Sequence, residues 1–265
     1  MKQIIIIIIT FIVALGCVNA QERLLFSGPS ESITTDITGT VYRTQGVNLD
    51  MLPADGSKPL NYSDPTWGSI TRVDAGISPK ILVFYRESGV IVLLDNELSP
   101  IGSPLNLFDK SMMTISLAAM GNPNKIVLYD ESNQDLIITD LSLNTYSKTH
   151  ITFPGEFHPT DMQVVPEHRI ALLDTLHGIC LFDFFGTFER EVPIPGIQRM
   201  QLMKDRIIYL RDSRLWRYDL PSSISPMNLR PIDLDIQDAI DFHIGKDALY
   251  YIDDQHVVWK NLMEK

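Results

Sequence analysis

The chain has 265 residues, with 22 Lys and Arg against 33 Asp and Glu, for a formal net charge of −11. With 45% hydrophobic residues it can bury a sizeable core. An acidic chain without a Lys/Arg cluster lacks the phosphate contacts that drive polyanion binding, which argues against nucleic acid as a partner.

The first twenty residues read as a secretory signal peptide. Lys2 supplies the positive start, Ile4 to Val18 is apolar apart from Thr10, and Val18-Asn19-Ala20 offers small residues before Gln21. This apolar run is shorter than the ~20 residues of a spanning helix. Ala14-Leu15-Gly16-Cys17 resembles a bacterial lipobox, in which Cys17 would be lipidated. The expectation is therefore an exported chain with residues 21–265 as one domain. It is periplasmic or secreted after cleavage at Ala20, or an outer-membrane lipoprotein if Cys17 is the anchor.

Arg23 to Ser27 reads as an isolated strand, and six similar units follow it. VYRTQGVNLD ends at Asp50, ILVFYRESGVIVLLD at Asp95, and IVLYDESNQDLIITD at Asp140. IALLDTLHGICLFD ends at Asp183, IIYLRDSRLWRYD at Asp219, and LYYIDDQHVVWK at Lys260. The ends lie 45, 45, 43, 36 and 41 residues apart. Each unit holds two short runs rich in Ile, Val, Leu, Tyr and Phe, bounded by turn residues, which read as β-strands. Because the runs are continuously apolar, both faces of each sheet must be covered. Sheets stacked face to face around an axis meet that demand, as in a propeller with ~40–50 residues per blade.

A more polar strand precedes each apolar pair: SITTDIT, SITRVDAG, MTISLAAM, TDMQVV, QRMQLM and AIDFHI. These are predicted to line the central channel. A looser segment such as FEREVPIPG follows each pair as an outer strand. The last unit holds three strands, so Arg23–Ser27 is predicted to supply its fourth and remove an open edge. The expected fold is all-β, a six-bladed propeller of four-stranded antiparallel blades closed by the N-terminal strand, with a monomer as the expected state.

The segment 159–190 resembles the NHL-type repeat through Pro159, Asp174, Asp183 and Gly186. Residues 78–98, SPKILVFYRESGVIVLLDNEL, are similar to exported propellers of Bacteroidota that have no assigned activity.

Two columns are predicted to face the channel, because alternate strand residues point to one side. The first is Asp36, Arg72, Ser116, Asp161, Arg199 and Asp241; the second is Thr38, Asp74, Ala118, Gln163, Gln201 and His243. Val73, Met162, Met200 and Phe242 should pack between blades. The candidate ligand-binding residues are Arg72, Asp74, Asp161, Gln163, Arg199, Asp241 and His243. Their charges fit either a polar ligand site or a solvated network that fixes blade packing.

Two functions compete. One is a non-catalytic binding or scaffold propeller of the cell envelope, contacting a protein partner or small polar ligand at one channel mouth, with no cofactor. The alternative resembles six-bladed hydrolases or lactonases, which implies a central Ca²⁺ held by oxygens such as those of Asp36, Asp74, Asp161 and Asp241. Neither column holds Asn or Glu, Arg72 and Arg199 repel a cation, and no G-x-S-x-G, HExxH or CxxC motif occurs.

Turn-closing Asp50, Asp95, Asp140, Asp183 and Asp219 are expected to bind backbone N–H groups rather than a metal. Cys180 is expected to be buried and structural. His150, His158, His168, His177 and His256 are expected at the surface, and Trp67, Trp216 and Trp259 between blades. Asp174-Thr175-Leu176 resembles an O-glycosylation acceptor of Bacteroidota, with Thr175 as the modified residue.

Overall fold

Extended, branched and aromatic side chains settle into strands along the whole computed structural model, which describes residues 22–76, 79–153, 156–166, 168–220, 229–231, 239–246, 248–253 and 256–261. The leader read over 1–20, with Cys17, lies outside the described residues.

The chain opens with β1 (Glu22–Ser27). Blade 1 is β2 (Ser32–Thr35), β3 (Val41–Gln45), β4 (Asn48–Leu52) and β5 (Leu60–Ser63). Blade 2 is β6 (Arg72–Asp74), β7 (Ile81–Tyr85), β8 (Val90–Leu94) and β9 (Leu105–Asn106). Blade 3 is β10 (Ile115–Asn122), β11 (Lys125–Asp130), β12 (Asp135–Asp140) and β13 (Thr145–His150). Blade 4 is β14 (Asp161–Val165), β15 (Arg169–Asp174), β16 (Gly178–Asp183) and β17 (Phe188–Val192). Blade 5 is β18 (Arg199–Leu202), β19 (Arg206–Arg211), β20 (Arg214–Asp219) and β21 (Leu229–Pro231). Blade 6 is β22 (Asp241–Ile244), β23 (Ala248–Ile252) and β24 (His256–Asn261), with β1 as its outer strand.

The continuous apolar runs divide by parity between the two faces of each blade. Along β7, Ile81, Val83 and Tyr85 pack with Tyr42, Leu49 and Met51 of blade 1. Leu82 and Phe84 pack with Ala118, Ile126 and Leu128 of blade 3. Six buried clusters result, one per blade junction. At ~1.5–3 kcal/mol for each fully buried Val, Leu, Ile or Phe, these junctions are the main favourable term in folding. Val73, Met162, Met200 and Phe242 lie in these junctions, as do the partly buried Trp67, Trp216 and Trp259.

Closure follows the sequence expectation. Strand β1 pairs antiparallel with β24, from Glu22 opposite Lys260 to Ser27 opposite His256, with a register shift between Leu24 and Phe26. Leu25 and Phe26 insert beside Ile33, Val41 and Ile252, so the first and last blades share one apolar junction.

The turn aspartates resolve into two groups. Asp95, Asp140 and Asp183 each accept from the N–H groups two and four residues on, at 2.8–2.9 Å. The third residue beyond each is left-handed: Leu98, Leu143 and Gly186. Asp50 and Asp219 do not close such turns. Asp50 lies within β4 and accepts from Arg43 and Asn61, while Asp219 accepts from Arg217. Asp36 was expected on an inner strand but forms the same turn as Asp95, accepting from the N–H groups of Thr38 and Thr40 with Gly39 left-handed.

Candidate functional site

The inner strands β2, β6, β14, β18 and β22 enclose a cavity of about 600 Å³. Hydrogen bonds and an ion pair between them fix their relative direction. Asp241 meets Ile33, and two residues on His243 meets Thr35. Arg199 meets Asp241, and two residues on Gln201 meets His243. Neighbouring inner strands therefore run the same way, and each level of the channel collects matching positions. Arg72, Asp161, Arg199 and Asp241 stand near the mouth where the inner strands begin. Asp74, Gln163, Gln201 and His243 stand one level deeper. All seven candidate ligand residues line this one cavity.

Blades 1 and 3 depart from the predicted columns. Strand β2 ends at Thr35, so Ser32 and Thr34 occupy the strand's channel positions; Asp36 lines the cavity from the following turn, which also holds Thr38. In blade 3 the register shifts between Ile115 and Leu117. Leu117 and Ala119 then take the levels of Asp161 and Gln163, while Ser116 and Ala118 turn into the protein. Blade 3 contributes no side chain to the cavity lining.

Arg72 reaches past that small, apolar blade. Its guanidinium donates from Nη1 to Asp161 Oδ1 and from Nη2 to the carbonyl of Met162, tying blade 2 to blade 4. Burial opposes its charge, but Asp161, Asp74 and Asp241 outweigh that and raise its pKa. Asp161 also accepts from the N–H of Met162 at 2.8 Å.

The other acids are similarly engaged. Asp74 Oδ2 accepts from the N–H of Met120 at 3.0 Å, joining blades 2 and 3. Its Oδ1 accepts from the N–H of Gly76 at 3.1 Å. Asp241 accepts from the N–H groups of Ile33 and Phe242 at 3.0 and 2.9 Å. Burial pushes its carboxyl up to about 6, against Arg199 and these hydrogen bonds. Gln201 joins blades 5 and 6, accepting from the N–H of Ile244 at 2.7 Å and donating to its carbonyl at 2.8 Å. This amide imitates one rung of a β-ladder.

His243 packs between Thr35 Oγ1 at 2.9 Å and Gln201 Nε2 at 3.4 Å. Burial, with Arg72 nearby, pushes its imidazole down to about 4, so it is neutral at physiological pH. Arg199 differs from Arg72. Its side chain is 44% exposed, and it stands 3.5 Å from Asp241 while donating to its neighbour's carbonyl at Gln198. Among the described residues its Nη2 has no recorded partner and can meet an incoming group.

Among the described residues no cluster of three or more His, Cys, Asp or Glu is placed to hold a metal. The channel acids already accept backbone N–H groups, and Arg72 sits among them. That donor set does not fit Ca²⁺, which takes 6–8 oxygens. Cys180 is buried, and burial, Glu191 and Asp174 push its thiol up to about 12. His177 lies instead against Asp174 and the ring of Phe153. Thr175 is exposed beside the exposed Leu176.

Sequence reasoning missed Ser32 and Thr34, because alternation was carried through the turn after β2. It also passed over Lys204 and Lys246, which line the cavity where the inner strands end. Their signal was present as Lys-Asp immediately before the second strand of units five and six.

No protein-family model matches the chain, and no curated protein matches it in sequence. Solved structures match in fold. A streptogramin B lyase superposes with a TM-score of 0.60 at 12% identity, covering 86% of this chain and 78% of its own. Virginiamycin B lyase from Staphylococcus aureus superposes at 0.59 and 13% identity, covering 92% and 99%. PorZ, a bacterial surface component of the type-IX secretion system of Porphyromonas gingivalis, superposes at 0.52 and 12% identity, covering 87% of this chain and 36% of PorZ. At these identities the likeness shows the propeller fold alone.

Proposed function

We propose that this chain is a non-catalytic binding propeller of the bacterial cell envelope, of the NHL-type lineage that its fourth unit resembles. One observation carries the reading: the channel carboxylates of Asp74, Asp161 and Asp241 are engaged by the protein's own donors, and His243 is neutral between two partners. These bonds tie the carboxylates into the ring as structural acceptors. A preformed cavity with Arg199 exposed at its mouth can instead hold a polar ligand or a partner's acidic group without rearranging. The apolar leader over 1–20 supports export.

The test is capture from envelope extracts by the mature chain and by an Arg199→Ala variant. The parent should retain a partner or ligand that the variant loses, while both melt alike. Calcium-dependent turnover of esters or lactones, abolished by Asp161→Ala, would overturn the reading. Amino-terminal sequencing of the exported product should begin at Gln21. A membrane-bound product released by Cys17→Ser would make it a lipoprotein instead.

A further inference from the structure

The geometry points to a second binding site, at the mouth opposite Arg199, for a small organic anion with an apolar body. The head group would be a carboxylate or a phosphate monoester.

The argument begins with the hairpins that follow the inner strands. Blades 2 to 5 carry cations just before or at the start of their second strands, and these are engaged. Lys80 donates to the carbonyl of Pro123, and Lys125 lies over the rings of Tyr146 and Phe184. Arg169 pairs with Glu189, and Arg206 with Asp205. Lys204 and Lys246 are different. They come from adjacent blades, line the cavity, and are exposed, and among the described residues no acid or acceptor is recorded for either ammonium group. Their hairpins are anchored, since His168 Nε2 lies 3.2 Å from the carbonyl of Lys204 and Gly245 donates to Ala248.

Among the described residues, the acids near this mouth already have donors. Asp36 accepts from two N–H groups and two hydroxyls. Asp74 accepts from Gly76 and Met120. Among the described residues, the positive groups are therefore the ones left to bind, in a chain whose overall charge is strongly negative. Around them the wall is largely apolar: Ile37, Val165, Pro166, Met203 and Ile244 line the same cavity. Ile37 is 69% exposed, an uncovered apolar contact at the rim. A cavity of about 600 Å³ falls in the range of small-molecule sites. Two ammonium groups above an apolar wall fit an acidic head and a hydrocarbon body. This site is the other end of the cavity that Arg199 lines, and the lysine variants test it apart from Arg199.

The experiment is a titration of the full mature chain with hexanoate, hexyl phosphate, hexanol and hexylamine, followed by calorimetry and amide NMR. At least one anion should bind about tenfold more tightly than hexanol, and hexylamine more weakly still. Affinity should fall with added salt, and shifts should centre on Ile244 and Val165. The stronger anion distinguishes a carboxylate site from a phosphate site. Lys204→Gln with Lys246→Gln should weaken anion binding about tenfold, leave hexanol unchanged, and leave the melting temperature unchanged because both residues are exposed. If neither anion exceeds hexanol, or the double variant binds anions as well as the parent, the proposal is wrong.

Discussion

Asp241 on blade 6 accepts the backbone N–H of Ile33 on blade 1 at 3.0 Å, joining residues 208 positions apart. His243, two residues on, repeats the link to Thr35 at 2.9 Å. The ring is thus latched twice where it meets itself. The inner latch is made of side chains lining the channel, and the outer one is the pairing of β1 with β24. Both latches bridge the ends of the chain, so each must overcome the closure entropy of nearly the whole ring.

Removing the outer latch should be severe. Deleting residues 22–27 exposes the edge of β24 and withdraws Leu25 and Phe26 from the junction they share with Ile33 and Ile252. Stability should fall by several kcal/mol, and the unpaired edge should promote association. Thermal melts with light scattering would read both effects. A deletion variant that melts with the parent and stays monodisperse would show that the inner latch alone closes the ring.

The inner latch carries a compensated titration. Folding raises the carboxyl of Asp241 from 3.8 to about 6, so its contribution is full below 3.8 and is lost as pH rises through about 6. Folding lowers the imidazole of His243 from 6.5 to about 4, so its contribution is full above 6.5 and is lost as pH falls through about 4. Near pH 5 the folded pair holds its one proton on Asp241, and the unfolded pair holds one on His243. The two slopes cancel. Arg72, Arg199, Asp74 and Asp161 also face the pair, so the readout is the difference between variant and parent. His243→Gln should lose up to about 3 kcal/mol relative to the parent as pH rises from 4 to 6. Asp241→Asn should lose a similar amount as pH falls from 6.5 to 4. Denaturant titrations across this window that run parallel for all three proteins would refute the swap.

How much of this was legible in the sequence depends on the kind of signal. The six blades and the closing strand were readable because ILVFY and VIVLL leave no face for water, and a periodic core permits few architectures. The channel residues of blades 2, 4, 5 and 6 were readable because alternation holds along a regular strand. Alternation failed at Asp36, where a turn with a left-handed Gly39 had begun, and at Ser116, where a register shift exchanges inside for outside. A one-residue slip reverses every side chain beyond it. The crossing of Arg72 to Asp161 was beyond reach for a further reason. It needs blade 3 to offer only Leu117 and Ala119, and that depends on the same shift.

Cys180 should behave as an inert thiol. Its side chain is buried, and raising the thiol from 9.0 to about 12 removes nearly all thiolate near neutrality. Iodoacetamide at pH 8 should modify the folded chain roughly a thousandfold more slowly than the unfolded chain, from thiolate population alone. Mass spectrometry with and without denaturant measures the ratio. Comparable rates would mean that β16 opens readily or that the thiol is activated.

Arg72 and Arg199 looked equivalent in sequence, as paired cations in one column, and the structure separates their roles. Arg72 is 18% exposed and holds Asp161 and the carbonyl of Met162. Arg199 is 44% exposed and stands 3.5 Å from Asp241. Arg72→Ala leaves Asp161 buried without its cation, which typically costs about 3–5 kcal/mol. Replacing both partners with apolar residues, as Arg72→Met with Asp161→Leu, should recover part of that loss, because no buried charge then stands alone. Arg199→Ala should cost less than about 1 kcal/mol, because Arg199 is largely solvated and meets Asp241 only at 3.5 Å. Chemical denaturation of the four proteins gives the comparison. If Arg199→Ala proves the costlier single change, the load-carrying contact is the one to Asp241. The exposed guanidinium would then belong to the ring closure rather than to capture of a ligand.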